Sequence, residues 1–444
     1  MNLRGLLICF WSMWAGFFYP RLNAASSCVA GDRAMADFRF PAVIKGYSWF
    51  VGKRIDLIDA WSFRSGQWSQ VPIQIDEVNF EGNYVLEEGL PYTKDTDDRI
   101  YDENDEFSIK GKSLGDSFDK KKIPKFIVER YKDYNRIDFC GEKNGYLGSI
   151  LVAVRATKSP GIPFVPLFNK AAGSVETSKY KYTFRRQQPM LMGDVLLKTE
   201  QGIRPVFAGS SFVMPLVPKI FIFPSIYFGE QDFTSEIECW RSGSVRSIVA
   251  VGSRLRKFFK LLDLHLFSEL VFYEDYFQIP TKIEFVFDPS TFLDRGSGLS
   301  YVLKYPTGGE WTLTTNLEPL PKDGPIKGDL KQTAFEQSPR GSYLVRGSNG
   351  SGSFMANVRV DQKALKLVPP PYLALENDFK DDDLGKGWPW LKKSNGSIAV
   401  FIDISGVKRG MYDFALDVAL SNQAHDEFTD FQAVSAIWHD STEF

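Results

Sequence analysis

The chain has 444 residues, of which 43% are hydrophobic and 24% are charged, so it can form two or three hydrophobic cores and is too apolar for a disordered protein. Its formal net charge of −2 argues against nucleic-acid binding, which needs a basic surface, and we predict no nucleic-acid partner. Aromatic residues make up 15% of the chain, and these side chains favour strands and fill β-sandwich cores.

The first 25 residues have the features of a signal peptide. Arg4 provides a short positive region, and the apolar run Leu6 to Phe18 is too short to span a bilayer. Small residues at Ala24 and Ala25 suit cleavage. We therefore expect export to the periplasm or cell envelope.

Loss of this segment leaves three cysteines, an odd number for an oxidising compartment: Cys28, Cys140 and Cys239. In one interpretation Cys28 is the lipid-modified first residue of a lipoprotein, and Cys140 pairs with Cys239. The usual leucine three positions before Cys28 is missing, and the alternative is an unpaired cysteine near a loose terminus. If the protein is attached to a membrane, we expect the attachment to be a lipid anchor at Cys28.

A first β-sandwich is predicted over residues 35–158. In the strand Trp68 to Val78, apolar Val71, Ile73 and Ile75 alternate with polar side chains, as in a strand with one buried face. Gln74 and Asp76 are therefore expected to face solvent or a groove. Further strands are expected at Asp105 to Lys110, Phe126 to Phe139 and Ser149 to Ala156, the last two joined by a turn at Asn144-Gly145.

An acidic loop separates the predicted strand Trp68 to Val78 from the predicted strand Asp105 to Lys110. Clustered carboxylates supply the hard oxygen ligands that calcium prefers. Ligand-like alternate spacing occurs at Asp95, Asp97, Asp102, Asn104 and Glu106. The glycine and distal glutamate of an EF-hand loop are missing, so a solvated acidic loop is favoured over a calcium site, and no other cofactor is predicted.

A large antiparallel sheet is predicted over residues 175–317, after a proline-rich boundary at Ser159 to Pro166. In its strand Leu270 to Phe277, Tyr273 and Asp275 would share one face, and Glu274 and Tyr276 the other. A tyrosine beside a carboxylate or arginine could transfer a proton or bind a glycan, although half-buried structural tyrosines are the favoured interpretation.

The segment Arg254 to Leu262 is basic and amphipathic at helical spacing. It could lie on a membrane, but a short helix that caps a sheet is favoured, and a hairpin is a further alternative.

A third β unit is predicted over residues 330–444, after a linker rich in Pro and Gly. Strict alternation in Gly410 to Leu420 predicts a strand that pairs with Ser397 to Ile404 as a hairpin of an immunoglobulin-like sandwich. The predicted fold class is therefore all-β, with multi-domain antiparallel β-sandwiches, a large central sheet and few short helices.

Catalytic chemistry has little support in the sequence. The three histidines, His265, His425 and His439, lie in an apolar run or near the tail, and no nucleophile elbow, phosphate loop or Rossmann fingerprint is present. No residue is therefore predicted to be catalytic.

The run Gly243-Ser-Val-Arg-Ser-Ile-Val249 resembles the Gly-x-Val-Arg-x-x-Val strand of galactose-mutarotase-like large β-sandwich proteins of the polysaccharide-lyase and glycan-processing type. Val71-Pro72-Ile73-Gln74 is similar to an N-terminal Val-Pro-x-Gln strand in the same proteins. The resemblance extends from about Phe40 to Asn316 and implies a sandwich fold, whereas the catalytic motifs of those proteins are not evident here.

These observations predict an exported envelope protein that binds or processes carbohydrate, such as a polysaccharide, in a groove on a β-sheet. The candidate ligand-binding residues are Arg241, Arg246, Tyr273, Glu274, Tyr276, Gln74 and Asp76. The rival hypothesis is a non-enzymatic envelope scaffold or protein-interaction module, lipid-anchored through Cys28. A groove requires a concave surface with aromatic and charged side chains, whereas a scaffold predicts flat faces and an apolar docking patch.

Overall fold

The structure is a computed structural model that describes residues 41–90, 99–140, 146–157, 167–220, 224–255, 265–304, 312–315, 318–319, 331–332, 342–349, 352–367, 371–375, 397–421 and 437–440. These residues form antiparallel sheets with few short helices, and the predicted all-β fold class is confirmed. The predicted signal peptide, Cys28 and the segment 256–264 lie outside the described residues.

The strands follow one another closely along the chain. The first ten are β1 (Ala42–Lys45), β2 (Ile58–Arg64), β3 (Gln67–Val71), β4 (Ile73–Asp76), β5 (Glu88–Gly89), β6 (Glu106–Ile109), β7 (Tyr131–Cys140), β8 (Tyr146–Arg155), β9 (Phe168–Asn169) and β10 (Ser174–Glu176). The next ten are β11 (Tyr180–Phe184), β12 (Met192–Thr199), β13 (Gly202–Phe207), β14 (Ser210–Leu216), β15 (Ile226–Gly229), β16 (Phe233–Ser242), β17 (Ser247–Leu255), β18 (His265–Phe272), β19 (Tyr276–Phe285) and β20 (Gly298–Lys304).

The remaining strands are β21 (Thr312–Thr315), β22 (Glu318–Pro319), β23 (Lys331–Gln332), β24 (Ser342–Asn349), β25 (Gly352–Val360), β26 (Tyr372–Leu375), β27 (Ser397–Asp403), β28 (Gly410–Ser421) and β29 (Ile437–Asp440). Two short α-helices are described, α1 (Lys125–Arg130) and α2 (Pro289–Phe292). Single 3-10 turns occur at Ile55–Leu57, Gly111–Ser113, Lys120–Lys122, Glu230–Asp232 and Ala364–Lys366.

The largest sheet of the described residues has ten strands, in the order β23-β21-β24-β25-β28-β19-β18-β17-β16-β5. All its pairings are antiparallel except that of β21 with β23. Its strands alternate apolar and polar side chains, so the two faces of the sheet differ. We call the two sides the apolar face and the polar face.

The apolar face packs against two smaller sheets, one in the order β15-β14-β20-β27-β26-β22 and one in the order β13-β12-β11-β10-β9. Side chains of all three sheets belong to one buried cluster. It includes Phe207, Leu270, Phe277, Phe354 and Val418, each almost fully buried. This interface is the main hydrophobic core of the sandwich.

The N-terminal region and the C-terminal strand β29 form a five-stranded sheet, β29-β7-β8-β2-β3, and the N-terminal region also forms a three-stranded sheet, β1-β6-β4. Their buried side chains, such as Phe107, Phe139 and Ile150, share a second cluster with Ile248, Tyr276 and other polar-face positions of the large sheet. The N-terminal sheets therefore cover part of the polar face.

The predicted C-terminal hairpin was wrong. β27 pairs with β20 and β26 in the six-stranded sheet, whereas β28 pairs with β19 and β25 in the ten-stranded sheet. These strands come from the predicted C-terminal unit, but their partners β19 and β20 come from the predicted central unit. The boundary expected at 317–330 therefore does not separate the sheets, because long-range pairings cross it.

Two local predictions also need correction. Pro72 lacks an N–H and divides the predicted strand Trp68 to Val78 into β3 and β4, which lie in different sheets. The predicted strand from Phe126 begins instead as α1, which follows Pro124. Residues 141–145, which hold the predicted turn at Asn144-Gly145, lie outside the described residues.

The predicted pairing of Cys140 with Cys239 was wrong, because Cys140 is disulfide-bonded and Cys239 is a buried thiol on β16. Among the described residues, no helix is long and apolar enough to cross a membrane.

Candidate functional site

The polar face of the ten-stranded sheet carries most of the predicted binding residues, in two neighbouring groups. The first group surrounds Arg246 and lies beneath the three-stranded N-terminal sheet. The second surrounds Asp417 on β28. Tyr273 of the first group and Tyr276 of the second are in ring contact, with centroids 5.5 Å apart.

Arg246 is the centre of the first group, and its side chain is only 1% exposed. Its Nε donates to Asp76 Oδ2 at 2.7 Å, its Nη1 to the Tyr273 hydroxyl at 2.9 Å and its Nη2 to Glu106 Oε2 at 2.9 Å. Its guanidinium also lies 5.2 Å from the centroid of the Tyr84 ring. Burial alone would lower the pKa of Arg246, but the nearby tyrosines and carboxylates outweigh it and raise that pKa well above its usual value.

Gln74 and Asp76 do not face solvent, so that expectation was wrong: their exposed fractions are 5% and 1%. Both sides of β4 are buried because the ten-stranded sheet covers the side that was expected to be open. The Gln74 amide donates to Asp76 Oδ1 at 2.8 Å and accepts from the backbone N–H groups of Val245 and Arg246. A Cβ at Gly243 would overlap the Gln74 amide, so a larger residue there would displace this amide from its hydrogen bonds.

Arg241 lies beside this group rather than within it. Its Nη2 donates to the Ile75 carbonyl at 3.0 Å, and its Nε lies 3.6 Å from Asp76 Oδ1. Its Nη1 is buried and has no hydrogen-bond partner among the described residues. Arg241 and Arg246 together therefore attach the three-stranded sheet to the polar face.

The expected arrangement of Tyr273 to Tyr276 was also wrong. The Tyr273 N–H donates to the Tyr276 carbonyl, and the chain turns there between β18 and β19. The turn brings Tyr273 and Tyr276 to the same face and leaves Glu274 at its tip. Both tyrosines are buried, and burial raises the pKa of each hydroxyl.

Glu274 forms a polar contact between the hairpin and the N-terminal region. It accepts from Lys110 at 3.2 Å, from Lys112 at 2.6 Å and from Ser178 at 2.7 Å. Partial burial would raise its pKa, but the hydrogen bonds and the two lysine charges outweigh that effect and lower the pKa to about 2. Glu274 is therefore ionised and structural at neutral pH.

Two buried carboxyl groups hold the segment between β4 and β5. Glu269 Oε1 accepts from the Tyr84 N–H at 2.7 Å, and Asp105 Oδ1 accepts from the Val78 N–H at 2.9 Å. Burial raises the pKa of each carboxyl to about 7, although these hydrogen bonds act in the opposite direction. Both groups therefore exchange protons near neutral pH, a property that the sequence patterns did not reveal.

The acidic loop is less solvated than expected. Asp105 is fully buried, Asp102 Oδ1 accepts from the Asn104 N–H at 2.6 Å, and Glu106 binds Arg246 and Tyr84. In the part of the chain that the structure describes, no group of three or more His, Cys, Asp or Glu side chains could hold a metal ion. The remaining predicted calcium ligands lie outside the described residues: Asp95 and Asp97.

The second group, the Asp417 cluster, comprises Tyr276, Gln278, Asn357, Arg359 and Asp417. Gln278, Asp417 and Asn357 form one row across β19, β28 and β25, because Asp417 pairs in register with both neighbours. Arg359 binds Asp417 through two hydrogen bonds of 2.6 and 2.9 Å, and its side chain is 43% exposed. The Gln278 amide donates to the Tyr276 hydroxyl at 2.5 Å.

One acceptor of this cluster is unused. The Asn357 side chain is 7% exposed, and its amide nitrogen lies 3.4 Å from Asp417 Oδ2. Its Oδ1 has no hydrogen-bond partner among the described residues. A buried polar atom without a partner is costly, so it indicates a position where a ligand could donate a hydrogen bond.

Sequence reasoning found Tyr276 but missed Gln278, Asn357, Arg359 and Asp417 as a group. The available signal was the alternation in β28, where Asp413 and Asp417 interrupt one side of an otherwise apolar strand. Their partners are distant in sequence, and the pairing of β25 with β28 brings them together.

The two groups suit different tasks. In the Arg246 group the charged side chains bind one another and are largely buried, which is typical of a structural network. The Asp417 cluster combines an exposed guanidinium with amides, a carboxylate and one unpaired acceptor, which can recognise a ligand rich in hydroxyl groups.

The sequence matches no family model and no curated protein. Among solved structures, an α-mannosidase from Enterococcus faecalis is similar over 93% of this chain and 46% of its own, with 9% identity and a TM-score of 0.46. The present chain thus spans about half the length of that mannosidase.

Two further solved structures match a smaller share of this chain and have lower TM-scores. A galactose mutarotase related enzyme from Lactobacillus acidophilus is similar over 56% of this chain and 97% of its own, with 9% identity and a TM-score of 0.33. A heparinase III gene product is similar over 64% of this chain and 43% of its own, with 7% identity and a TM-score of 0.29. Galactose mutarotase-like proteins are thus among the solved structures with weak similarity to this chain.

Proposed function

We propose that this chain is an exported protein that binds carbohydrate at the Asp417 cluster. The observation that carries this proposal is the row of hydrogen-bonding side chains across three strands, in which Asp417 and Asn357 are buried, Gln278 is partly exposed and the Asn357 Oδ1 is unpaired. Sites for small polar ligands are built from a few such convergent groups on a rigid scaffold.

Each member of the cluster has a role in this proposal. Asn357 Oδ1 accepts a hydrogen bond from a sugar hydroxyl, since a carbonyl oxygen is an acceptor only. Arg359 donates to a sugar oxygen from the exposed edge of the cluster. Asp417 holds Arg359 in position through its two hydrogen bonds.

The other predicted binding residues support this site indirectly. Arg246 binds the Tyr273 hydroxyl, and Tyr273 packs against Tyr276. Tyr276 in turn accepts from Gln278. In this proposal Gln74, Asp76, Arg241 and Glu274 fix the N-terminal sheets to the polar face and do not contact the sugar.

Replacement of Asn357 by leucine tests whether glycan affinity can be lost without loss of fold stability. We expect Asn357→Leu to weaken glycan binding tenfold or more, which corresponds to about 1.4 kcal/mol. The unfolding midpoint should change little, because removal of the unpaired Oδ1 acceptor offsets the loss of the 3.4 Å hydrogen bond from the Asn357 amide to Asp417. The measurement is binding to an array of neutral and uronic-acid glycans, with and without calcium, followed by calorimetric titration of the best glycan.

Asn169→Leu is the matched control, since Asn169 is exposed on β9 and distant in the fold. A folded Asn357→Leu variant that binds as tightly as the parent chain would place the site elsewhere. If the parent chain binds no neutral or acidic glycan, the scaffold hypothesis replaces this proposal.

Export is supported by the apolar run Leu6 to Phe18 and the small residues after it. We expect mass spectrometry of the mature chain to find an N-terminus after residue 25. A lipid on Cys28 would show the anchor, and an unmodified N-terminus upstream of Cys28 would exclude it.

A further inference from the structure

A cavity of about 110 Å³ lies inside the sandwich, on the side of the ten-stranded sheet opposite the Asp417 cluster. It is bounded by the apolar face of that sheet and by β14, β20 and β27 of the six-stranded sheet. Protein interiors rarely leave such space, because side chains pack as densely as in organic crystals. The volume is several times that needed for one water molecule and approaches the roughly 150 Å³ of engineered cavities that bind benzene.

The lining of the cavity is almost entirely apolar. Its buried walls include Leu266, Ile279, Leu299, Val358, Val400 and Ile402. Ser253 and Thr281 also line it, and these small side chains take core positions that a larger apolar residue could fill. An apolar cavity stays dry and favours an apolar ligand over water.

The lining of the cavity extends across much of the large sheet. Its wall on the large sheet crosses five neighbouring strands, β17, β18, β19, β28 and β25. At about 4.8 Å between strands, the first and last of them lie roughly 19 Å apart. A volume of about 110 Å³ with a lining of this extent suits an unbranched chain better than a compact ring system.

One end of the cavity reaches half-exposed side chains. Gln188, Met190, Phe212 and Glu230 line it there and are partly accessible to solvent. Gln188 is fixed by hydrogen bonds to the carbonyls of Glu230 and Phe233, at 2.7 and 2.8 Å. At this mouth Glu230 forms an ion pair with Arg185, so the two charges neutralise each other.

We infer that this cavity is a binding site for a short unbranched aliphatic chain with an uncharged head group, such as the alkyl chain of a neutral lipid. The buried apolar walls take the chain, and the neutral mouth gives no advantage to a carboxylate or an ammonium group. This site is independent of the proposed carbohydrate site, because the two lie on opposite faces of the large sheet.

Three eight-carbon probes test the inference on the full chain. We expect octan-1-ol to bind in a calorimetric or NMR titration, and octanoate and octylammonium to bind at least tenfold more weakly. Absence of octan-1-ol binding would overturn the inference. Equal or tighter binding of either ion would overturn the assignment of an uncharged head group.

Two variants fill the cavity from opposite sheets, Val400→Phe on β27 and Val358→Phe on β25. Each should raise the Kd for octan-1-ol tenfold or more, with an unfolding midpoint that is unchanged or higher, because the new ring occupies empty space. The same substitution at exposed Val51 should leave binding unchanged. Unaltered binding in both folded variants would overturn the inference, as would loss of folding in both, since a filled cavity would not overpack the core.

Discussion

Replacement of Arg246 by methionine is expected to lower the free energy of unfolding by about 3–5 kcal/mol. The substitution keeps an apolar stem of similar length but removes the Arg246 cation from Asp76, which is 1% exposed and keeps only the 3.6 Å contact with Arg241, and from the largely buried Glu106. Loss of one partner from a buried ion network leaves charges that water cannot reach, and this penalty is the origin of the large effect. Urea denaturation followed by tryptophan fluorescence measures it.

The matched control is Arg254→Met, because Arg254 is an exposed arginine on β17, eight positions after Arg246. That variant should lose less than about 1 kcal/mol, as is usual for exposed charges. A variant that combines Arg246→Met with Asp76→Asn and Glu106→Gln should recover part of the lost stability, since it removes the uncompensated charges. If Arg246→Met unfolds at the same urea concentration as the parent chain, the Arg246 group does not stabilise the fold.

The second large effect is a dependence of stability on pH that originates at Glu269. This carboxyl group is 6% exposed, and burial raises its pKa from 4.5 to about 7. The folded state therefore holds a proton that the unfolded chain has released between about pH 4.5 and 7. Within that window the stability falls as the pH rises, and the full penalty of the buried carboxylate is present above pH 7.

A shift of this size corresponds to on the order of 3 kcal/mol. We expect Glu269→Gln to remove that contribution, so the variant should gain stability relative to the parent chain as the pH is raised from 5 to 8. Asp105, whose pKa is also raised to about 7, acts in the same direction, and Asp105→Asn should flatten the remaining dependence further.

Thermal unfolding midpoints between pH 5 and 8 measure this effect. Glu88→Gln is the control, because Glu88 is an exposed glutamate of the same sheet and its replacement should leave the pH dependence unchanged. Parallel pH profiles for the parent chain and Glu269→Gln would show that Glu269 is already ionised in the folded state.

The two groups on the polar face explain why the residues of the sequence motifs are not the residues of the proposed binding site. The motif residues Arg246 and Gln74 were found because their local patterns are unusual, and the structure uses them to join two sheets. The amide, carboxylate and guanidinium of the Asp417 cluster have no shared local pattern. They meet because β19, β28 and β25 are neighbours in the sheet, although β28 is more than 120 residues from β19.

The sequence by itself determined the fold class and several strand positions, because alternation of apolar and polar side chains is a local property with a period of two. The prediction that β28 has an apolar side, from Tyr412 to Leu420, was correct for that reason. Tertiary structure decided which strands pair, which sheet holds β27 and which covers β28, and whether the polar side of a strand such as β4 meets solvent or another sheet. Those outcomes depend on contacts between distant segments, and a local pattern carries no information about what will lie above it.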